Sequence, residues 1–516
     1  MTIQEEGIMK RLKSILTRSG LVVVILLLVS GLAFGMGSKP PVPDPDFSHE
    51  PPANPFLADS CWPMTHRNPY CQASSPYPGP QEGGLSADSD FNLGTPGLIT
   101  LAESGLYPDG QRVLWGSSST MVFKADTALN YLAVILKEDL TLTSMFSTDE
   151  MLSGAYTLVD RDNVFYMPRF TTLYAFGDKV AGDRNSAIAV KRVFEIPAQN
   201  ISDPAEKIVG LTLTYDGMLA FATSHGLLGV VSRSFDTAFY YRFPPEEAIS
   251  NSIACDEDGG IYVATSEKMY RVQWTGSELT TDPAKGGWSA GYETGDGSGV
   301  RLGAGSGSTP TLMGTGNEDK FVVITDGQDL MHLVLFWRDQ IPADWQQIPG
   351  TKSRRIAAQV AVTFGDDGAT DTLSEQSVCV LGYGALVVNN QLKVPLDNQV
   401  ISLLVSGIVP VAPYGAERFE WDPTARTMET VWVNTEVSYP NGIPCMSAAT
   451  NLIYDVGQGI LGGWTFEAID WDTGKSVFSY RYGTSPMFNS AYAGTEILSN
   501  RSLYSGTMLG MIRMKP

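Results

Sequence analysis

Histidine is scarce in this chain, and charged side chains are few. Only four histidines occur among 516 residues, and Asp, Glu, Lys and Arg together make up 18%. No two of the five cysteines are adjacent, and no Cys-x-x-Cys-His run occurs, which excludes a covalently attached haem. No group of His and Cys has the spacing of zinc ligands. No Ser-His-Asp order is supported either, because no helical pattern follows Gly305-Ser306-Gly307.

Long apolar runs are also lacking, with one exception near the N-terminus. Residues 21–34 (LVVVILLLVSGLAF) follow a segment with four basic residues, and residues 33–35 (AFG) provide the small residues that a signal peptidase reads. The run is shorter than the roughly 20 residues that span a membrane comfortably. We therefore expect a signal peptide over residues 1–35 and a periplasmic or secreted protein without a transmembrane domain. The alternative is an uncleaved anchor.

Positive charge is in short supply. The chain has 35 basic and 56 acidic residues, for a net charge of −21. Since residues 1–35 carry a net +2, the mature chain is near −23, which is −21 minus +2. An acidic surface of this size repels phosphate backbones, so nucleic acid is not expected as a partner. A protein partner or a small polar ligand is expected instead.

Turn residues and short apolar strands make up most of the remaining chain. The chain has 52 glycines and 31 prolines, and sustained helical periodicity is absent after the signal. Five stretches share one pattern, in which a polar turn, a short strand, a second turn and a second strand follow each other: residues 156–178, 211–233, 253–274, 310–339 and 446–472. Repeats at about 40–50 residues are typical of a β-propeller.

We therefore predict a single all-β propeller over residues 111–516, with seven blades. Six blades follow one another, at about residues 155–200, 209–245, 251–300, 307–350, 356–436 (with a long insertion) and 443–485. The C-terminal strands within residues 488–516 then pair with the early strands 113–124 and 131–137, which closes the ring and removes free sheet edges. If the early strands form a blade alone, the propeller has eight blades.

The region before the propeller is irregular. Residues 36–60 are rich in proline and acidic residues and are expected to form an extended tether. Residues 61–110 are expected to lie on the propeller surface. Cys61 and Cys71 bracket a nine-residue loop in this region and are the best candidates for a disulfide. Cys255 is expected to be a buried thiol, while Cys379 and Cys445 are left open, since sequence alone does not decide between a pair and two free thiols.

One blade carries a family resemblance. Residues 468–478 (AIDWDTGKSVF) resemble the blade signature of the quinoprotein alcohol dehydrogenase-like propellers, and residues 62–64 (WPM) resemble the opening that precedes their first blade. The resemblance implies a propeller of the type that binds pyrroloquinoline quinone (PQQ). Residues 258–266 (DGGIYVATS) are also similar to strictosidine-synthase-like and gluconolactonase-like propellers, which implies a calcium-dependent hydrolase as an alternative.

The candidate ligand-binding residues lie in the Cys61–Cys71 loop and near the starts of inner strands. The loop offers a base, a cation and an amide, and the strand starts offer a polar ring around the channel. The set is His66, Arg67, Asn68, Asn251, Ser308, Thr309 and Asp326. The structural alternative is that these polar groups satisfy the backbone or bind channel water.

The sequence favours an exported, quinoprotein-like propeller that acts as a binding or scaffold protein without redox catalysis of its own. No cofactor is predicted, because the adjacent cysteine pair of the quinoprotein dehydrogenases is lacking. The alternative is a divergent quinoprotein oxidoreductase with PQQ, or a calcium-dependent hydrolase, that uses the central channel. Catalytic residues are not assigned, so whether the protein is an enzyme is left open.

Overall fold

A computed structural model describes residues 49–81, 87–91, 99–141, 147, 149–150, 154–295, 303, 305–394, 399–408, 410–459 and 462–516. The predicted signal peptide lies outside these residues. Within the described part of the chain, no helix is both long enough and apolar enough to cross a membrane.

Strands account for most of the regular structure. The first half of the chain forms β1 (Ser74–Ser75), β2 (Ala87–Phe91), β3 (Thr100–Glu103), β4 (Leu114–Ser117), β5 (Met121–Ala125), β6 (Tyr131–Leu136), β7 (Leu158–Val159), β8 (Phe165–Arg169), β9 (Thr172–Asp178), β10 (Ile188–Glu195), β11 (Ile208–Leu213), β12 (Met218–Thr223), β13 (Leu227–Ser232), β14 (Ala238–Arg242), β15 (Ala254–Cys255), β16 (Gly260–Ala264), β17 (Lys268–Trp274), β18 (Leu279–Thr280) and β19 (Trp288–Gly291).

The second half forms β20 (Thr311–Met313), β21 (Phe321–Thr325), β22 (His332–Trp337), β23 (Ile356–Ala361), β24 (Cys379–Leu381), β25 (Gly384–Val388), helix α1 (Gln399–Val405), β26 (Ala416–Asp422), β27 (Thr427–Asn434), β28 (Cys445–Ser447), β29 (Leu452–Gln458), β30 (Trp464–Asp470), β31 (Ser476–Gly483), β32 (Thr495–Ile497), β33 (Leu503–Thr507) and β34 (Gly510–Met514). Short 3-10 turns occur at Ala198–Asn200, Pro283–Lys285 and Pro486–Phe488.

These strands form eight sheets, which are the blades of one propeller. Blades 1 to 7 begin at β3, β7, β11, β15, β20, β24 and β28, and each runs outward through the next three strands in chain order. Blade 8 contains β32, β33, β34 and β2. The seven-blade prediction is therefore wrong. Strands β3 to β6 form a complete blade by themselves, as the eight-blade alternative supposed.

The ring closes in blade 8, where the two ends of the chain meet. Strand β2 pairs antiparallel with β34, and Ser89 lies opposite Ile512. Closure by an N-terminal and a C-terminal strand is thus confirmed, but the predicted N-terminal partners, residues 113–124 and 131–137, belong to blade 1. Strand β2 (ADSDF) could not be predicted from its sequence, because polar residues such as Asp are depleted in strands.

Tight aspartate turns join the inner strand to the second strand in blades 2 and 4. In blade 2, Oδ1 of Asp160 accepts hydrogen bonds from the amides of Asp162 (2.9 Å) and Val164 (3.0 Å). In blade 4, Oδ1 of Asp256 accepts from the amides of Asp258 (3.0 Å) and Gly260 (2.7 Å). Such side-chain turns replace the lost ladder bonds. They explain why the repeat is visible in the sequence.

The centre of the propeller is filled by the chain itself. We call residues 61–75 the plug. Carbonyl oxygens of Pro69, Tyr70, Gln72 and Ala73 accept hydrogen bonds of 2.8–3.0 Å from the second residue of β15, β20, β24 and β28, which are the inner strands of blades 4 to 7. An inner strand is a sheet edge with unpaired amides, and the plug provides their partners. In blade 7, β1 of the plug continues the sheet by parallel pairing with β28.

The plug corrects two predictions about the N-terminal region. Residues 61–75 are buried almost throughout and do not lie on the surface. Part of the expected tether is also docked, because Nδ2 of Asn54 donates to the carbonyl oxygen of Leu213 at 2.8 Å. Sequence reasoning missed this because the plug has no apolar periodicity. The plug bends along the inside of the ring at residues whose backbone is in the left-handed region, namely His66, Arg67, Cys71 and Ala73.

The expected disulfide does not form. Cys61 and Cys71 are both free thiols, as are the other three cysteines. Ser499 of blade 8 donates a 3.4 Å hydrogen bond to Sγ of Cys61, whereas Sγ of Cys71 lies 3.6 Å from the carbonyl oxygen of Ile253, directly before blade 4. Blades 8 and 4 stand on opposite sides of the ring, so the plug holds the two sulfurs apart. Cys255 is a buried thiol, as predicted.

Candidate functional site

A large cavity lies at the mouth of the channel where the inner strands begin. Its volume is about 520 Å³. Every blade contributes a residue at or just before its inner strand, namely Thr100, Tyr156, Ile208, Asn251, Gly305, Ser377, Ile443 and Tyr492. Because all eight inner strands run in the same direction, their starts converge on the propeller axis. The plug closes the channel below, so the cavity is a blind pocket.

The floor of the cavity is a contact between the plug and blade 6. Thr65 of the plug lines the cavity and exchanges main-chain and side-chain hydrogen bonds with Thr157 of blade 2. Nε2 of the next residue, His66, lies 3.4 Å from Oγ of Ser377. The amide of Thr309 donates to the same Oγ at 3.3 Å, so the hydroxyl proton of Ser377 is available to the imidazole. Burial lowers the pKa of His66 to about 4, so the imidazole is neutral near pH 7.

The walls of the cavity are mainly apolar. Aliphatic and aromatic side chains come from blades 2, 3 and 7, the segments before blades 4 and 8, and helix α1: Pro168, Phe170, Ile208, Val209, Ala248, Ile249, Leu403, Ile443 and Ala491. Tyr156 lies 5.9 Å from His66 between ring centroids, and burial raises the pKa of its phenol. A water-excluding wall of this kind favours apolar ligand surface.

Charged groups are few around the cavity. Among its described lining residues, Asp149 and Glu375 carry carboxylates and Lys207 carries an ammonium group. Nζ of Lys207 pairs with Asp149. The remaining carboxylate, Glu375, is buried next to Gln376 and Ser377. The lining therefore has no excess of positive charge that would attract an anion.

Gln376 differs from the other polar side chains of the cavity. Only 2% of its surface is exposed, and neither Nε2 nor Oε1 has a hydrogen-bond partner among the described residues. By contrast, the amide nitrogen of Asn251 is bonded to the carbonyl oxygen of Ser306 at 2.8 Å. A buried amide without partners is costly in a folded protein, and a ligand or water is expected to supply them.

The structure brings some predicted site residues to the cavity and places others elsewhere. Asn251 lines the cavity, and His66 and Thr309 lie at its floor through Ser377. Arg67 instead donates to Glu50 and to the carbonyl oxygen of Ser74. Oδ1 of Asn68 accepts from the amide of Gln72, inside the plug.

Two predicted residues serve the packing of blade 5. Oγ of Ser308 accepts from the amide of Thr325 at 3.0 Å. Asp326 is fully buried, and its Oδ2 lies 2.9 Å from Nδ1 of His332. Neither residue belongs to the described lining of the cavity.

Sequence reasoning missed Gln376 and Ser377 because it predicts one blade over residues 356–436, the fifth of the six between residues 155 and 485. In the structure, β23 (Ile356–Ala361) is the outer strand of blade 5. The inner strand of blade 6 begins at Cys379. Once β24 is recognised as the inner strand of blade 6, the polar run before it (SEQS, residues 374–377) corresponds to Asn251 before blade 4. A polar residue directly before an inner strand is the pattern that identified Asn251, and it would also have identified Gln376 and Ser377.

Two further arrangements bear on chemistry. No group of three or more His, Cys, Asp or Glu residues within the described ranges is placed to hold a metal ion.

The run 287–291 (GWSAG) has the Gly-x-Ser-x-Gly spacing, but it lies on β19, which pairs with β17, and Ser289 is exposed there. A nucleophile elbow requires a strand-to-helix turn, so this serine is not one.

Comparison with known proteins shows the family. The chain is 45% identical over 497 residues to an uncharacterized protein of Archaeoglobus fulgidus, which covers 92% of this chain and 91% of that protein. The chain belongs to the same family as that protein. No protein-family model matches the sequence.

One solved structure supports the propeller fold, and a second is reported for comparison. A europium-containing methanol dehydrogenase superposes with a TM-score of 0.53 at 11% identity, over 87% of this chain and 90% of that one. The Dos1 propeller superposes with a TM-score of 0.49 at 12% identity, over 83% of this chain and 95% of that one. At such identities the likeness concerns the fold alone. The quinoprotein-like propeller fold is thus supported, while the PQQ-like repeat is not.

Proposed function

We propose that this protein is a binding protein that takes up a small, neutral and mainly apolar compound in its axial cavity. The observation that carries the proposal is the blind pocket of about 520 Å³ to which all eight blades contribute. Its volume falls within the roughly 300–1,000 Å³ of known ligand sites. The sequence left a protein partner and a small polar ligand open. The apolar walls and the closed floor favour a small molecule with mostly apolar surface.

A catalytic role is less well supported by the groups in the cavity. Hydrolysis or oxidation in the channel calls for carboxylates that converge on one point. Of the two carboxylates in the described lining, Asp149 is paired with Lys207. Glu375 is the one that remains, and a single carboxylate does not make an acid-base pair with separated roles.

The residues of the cavity do not fit PQQ or calcium. PQQ carries three carboxylates, yet Lys207 is the sole Lys or Arg in the described lining and is already paired. Calcium takes six to eight oxygen ligands, several of them carboxylates. The described lining offers only Glu375 beside the paired Asp149, and much of the rest is apolar, with side chains such as Leu403 and Ile443. We derive no step through either group.

The site of action is part of the proposal. The basic segment, the apolar run 21–34 and the small residues at 33–35 support export. Intact-mass measurement of the protein from the envelope or culture medium tests this. A mature chain beginning near Met36 is expected, whereas a retained 1–35 segment would indicate an anchor.

Binding is tested with Nile red, a neutral fluorophore that brightens in apolar surroundings. Titration should give saturable fluorescence with one site per chain. Val209→Trp fills the cavity from blade 3 and should weaken binding at least tenfold. Val477→Trp, at an exposed position of β31, is the matched control and should bind like the wild type. Equal binding by both variants would contradict the proposal.

A further inference from the structure

The cavity offers one polar side chain whose hydrogen-bonding capacity is unused. Gln376 lines the cavity and is 2% exposed, and its amide nitrogen and oxygen both lack partners among the described residues.

The neighbouring polar groups are already engaged. Oγ of Thr65 accepts from the amide of Thr157 at 3.1 Å, and Oγ of Ser377 is shared between Thr309 and His66. Nδ2 of Asn251 donates to the carbonyl oxygen of Ser306. These groups already hold protein hydrogen bonds. Gln376 gains from a ligand at both of its polar atoms, because an unpartnered buried amide carries its full desolvation cost.

The chemistry of a primary amide defines its complement. Its nitrogen donates and its oxygen accepts, side by side in one plane. The complementary ligand group presents an acceptor next to a donor, as an amide or lactam does. A carboxylate offers acceptors only, and Glu375 next to Gln376 in the lining opposes a second negative charge.

Resting on the proposed function, we propose that Gln376 determines specificity and that the ligand class is the neutral amides and lactams with an apolar body. The amide group docks against Nε2 and Oε1 of Gln376 at the floor. The apolar body fills the space between Val209, Ile249 and Leu403.

A double-mutant cycle between protein and probe tests this. Three probes share a benzyl body: N-benzylacetamide has donor and acceptor, benzyl acetate has the acceptor only, and butylbenzene has neither. Affinities are measured by calorimetry for the wild type and Gln376→Leu. The matched control is Gln458→Leu, which removes a buried glutamine outside the described lining whose Oε1 also lacks a described partner.

Gln376→Leu should weaken N-benzylacetamide at least tenfold, benzyl acetate less, and butylbenzene not at all, while Gln458→Leu changes none of the three ratios. A crystal structure with N-benzylacetamide should show both amide atoms within hydrogen-bond distance of Gln376. The inference is overturned if Gln376→Leu affects all three probes equally or leaves the amide unaffected. If Nile red binds in that case, the proposed function stands without the specificity. If Nile red and all three probes fail to bind the wild type, both are wrong.

Discussion

The amide of Val380 donates a 3.0 Å hydrogen bond to the carbonyl oxygen of Gln72. Val380 belongs to the inner strand of blade 6, and Gln72 belongs to the plug. Neighbouring blades repeat the relationship, as between Leu312 and Tyr70 at 2.8 Å. The plug is therefore an inner element of the sheets, and it turns an open channel into the blind cavity of the proposed function.

Loss of a plug anchor should destabilise the whole propeller. Tyr70 is fully buried, its hydroxyl donates to Glu257 at 2.5 Å, and Arg338 lies over its ring at 5.0 Å. Tyr70→Ala should lower the free energy of unfolding by about 3–5 kcal/mol, as for other large aromatic truncations. Leu136→Ala, at a position 70% exposed on β6, should change it by less than about 0.5 kcal/mol. Chemical denaturation compares the two, and equal effects would mean that the plug does not support the ring.

His66 should make stability depend on acid. Burial lowers its folded-state pKa from 6.5 to about 4. Between these values the unfolded chain binds the extra proton, so the contribution of His66 to stability falls as pH is lowered from 6.5 to 4, by at most about 1.4 kcal/mol per pH unit. His66→Asn should remove this contribution and so change the slope of stability against pH in this range, since asparagine stays neutral and tolerates the left-handed backbone. His225→Asn, at an exposed histidine, should leave the slope as it is. Parallel slopes in all three proteins would contradict a buried neutral imidazole.

Asp455 should have the opposite effect at higher pH. Burial raises its pKa from 3.8 to about 8, although Thr495 donates to Oδ1 at 2.9 Å. Between these values the folded protein holds the extra proton, so the contribution of Asp455 to stability falls as pH rises from 4 to 8. Asp455→Asn keeps an acceptor without the charge, and its advantage over the wild type should grow through this range. Asp367→Asn, in an exposed turn, is the control. A constant difference between Asp455→Asn and the wild type would show that the carboxyl is ionised in the folded protein.

Ring closure depends on β34. Deletion of residues 510–516 removes the strand between β33 and β2, and exposes a sheet edge in blade 8. Open edges promote association, so we expect aggregation or loss of the cooperative transition. Deletion of residues 515–516, which lie beyond β34, should have little effect. Light scattering and thermal melting distinguish the variants, and a monomeric 510–516 deletion with an unchanged Tm would contradict this closure.

Sequence reasoning found the fold because turns and strands are local. Aspartate turns such as that at Asp256 occur in blades 2 and 4, and the strand patterns recur in several blades, so the propeller and most blade boundaries were visible. The number of blades was not, because it depends on a polar strand, Ala87–Phe91, that has no strand signature and is recruited by pairing with β34.

The site was predicted only in part for a similar reason. Asn251 was found because it directly precedes a recognisable inner strand, and His66 was found as a rare histidine in a suspect loop. Gln376 was not predicted, because β23 was assigned to the wrong blade. The plug was not predicted, because it pairs with main-chain amides of inner strands that are far away in the sequence. Nothing in the residues from Cys61 to Ser75 indicates such pairing.

The most direct test of the account is the location of a bound apolar probe. Crystals soaked in bromobenzene would show the bromine by anomalous scattering. The account predicts that the strongest peak lies in the axial cavity, in contact with Ile249 and Leu403 above the plug. A strongest peak elsewhere, for example in the smaller cleft of about 240 Å³ lined by Tyr107 and Gly182, with no density on the axis, would contradict it.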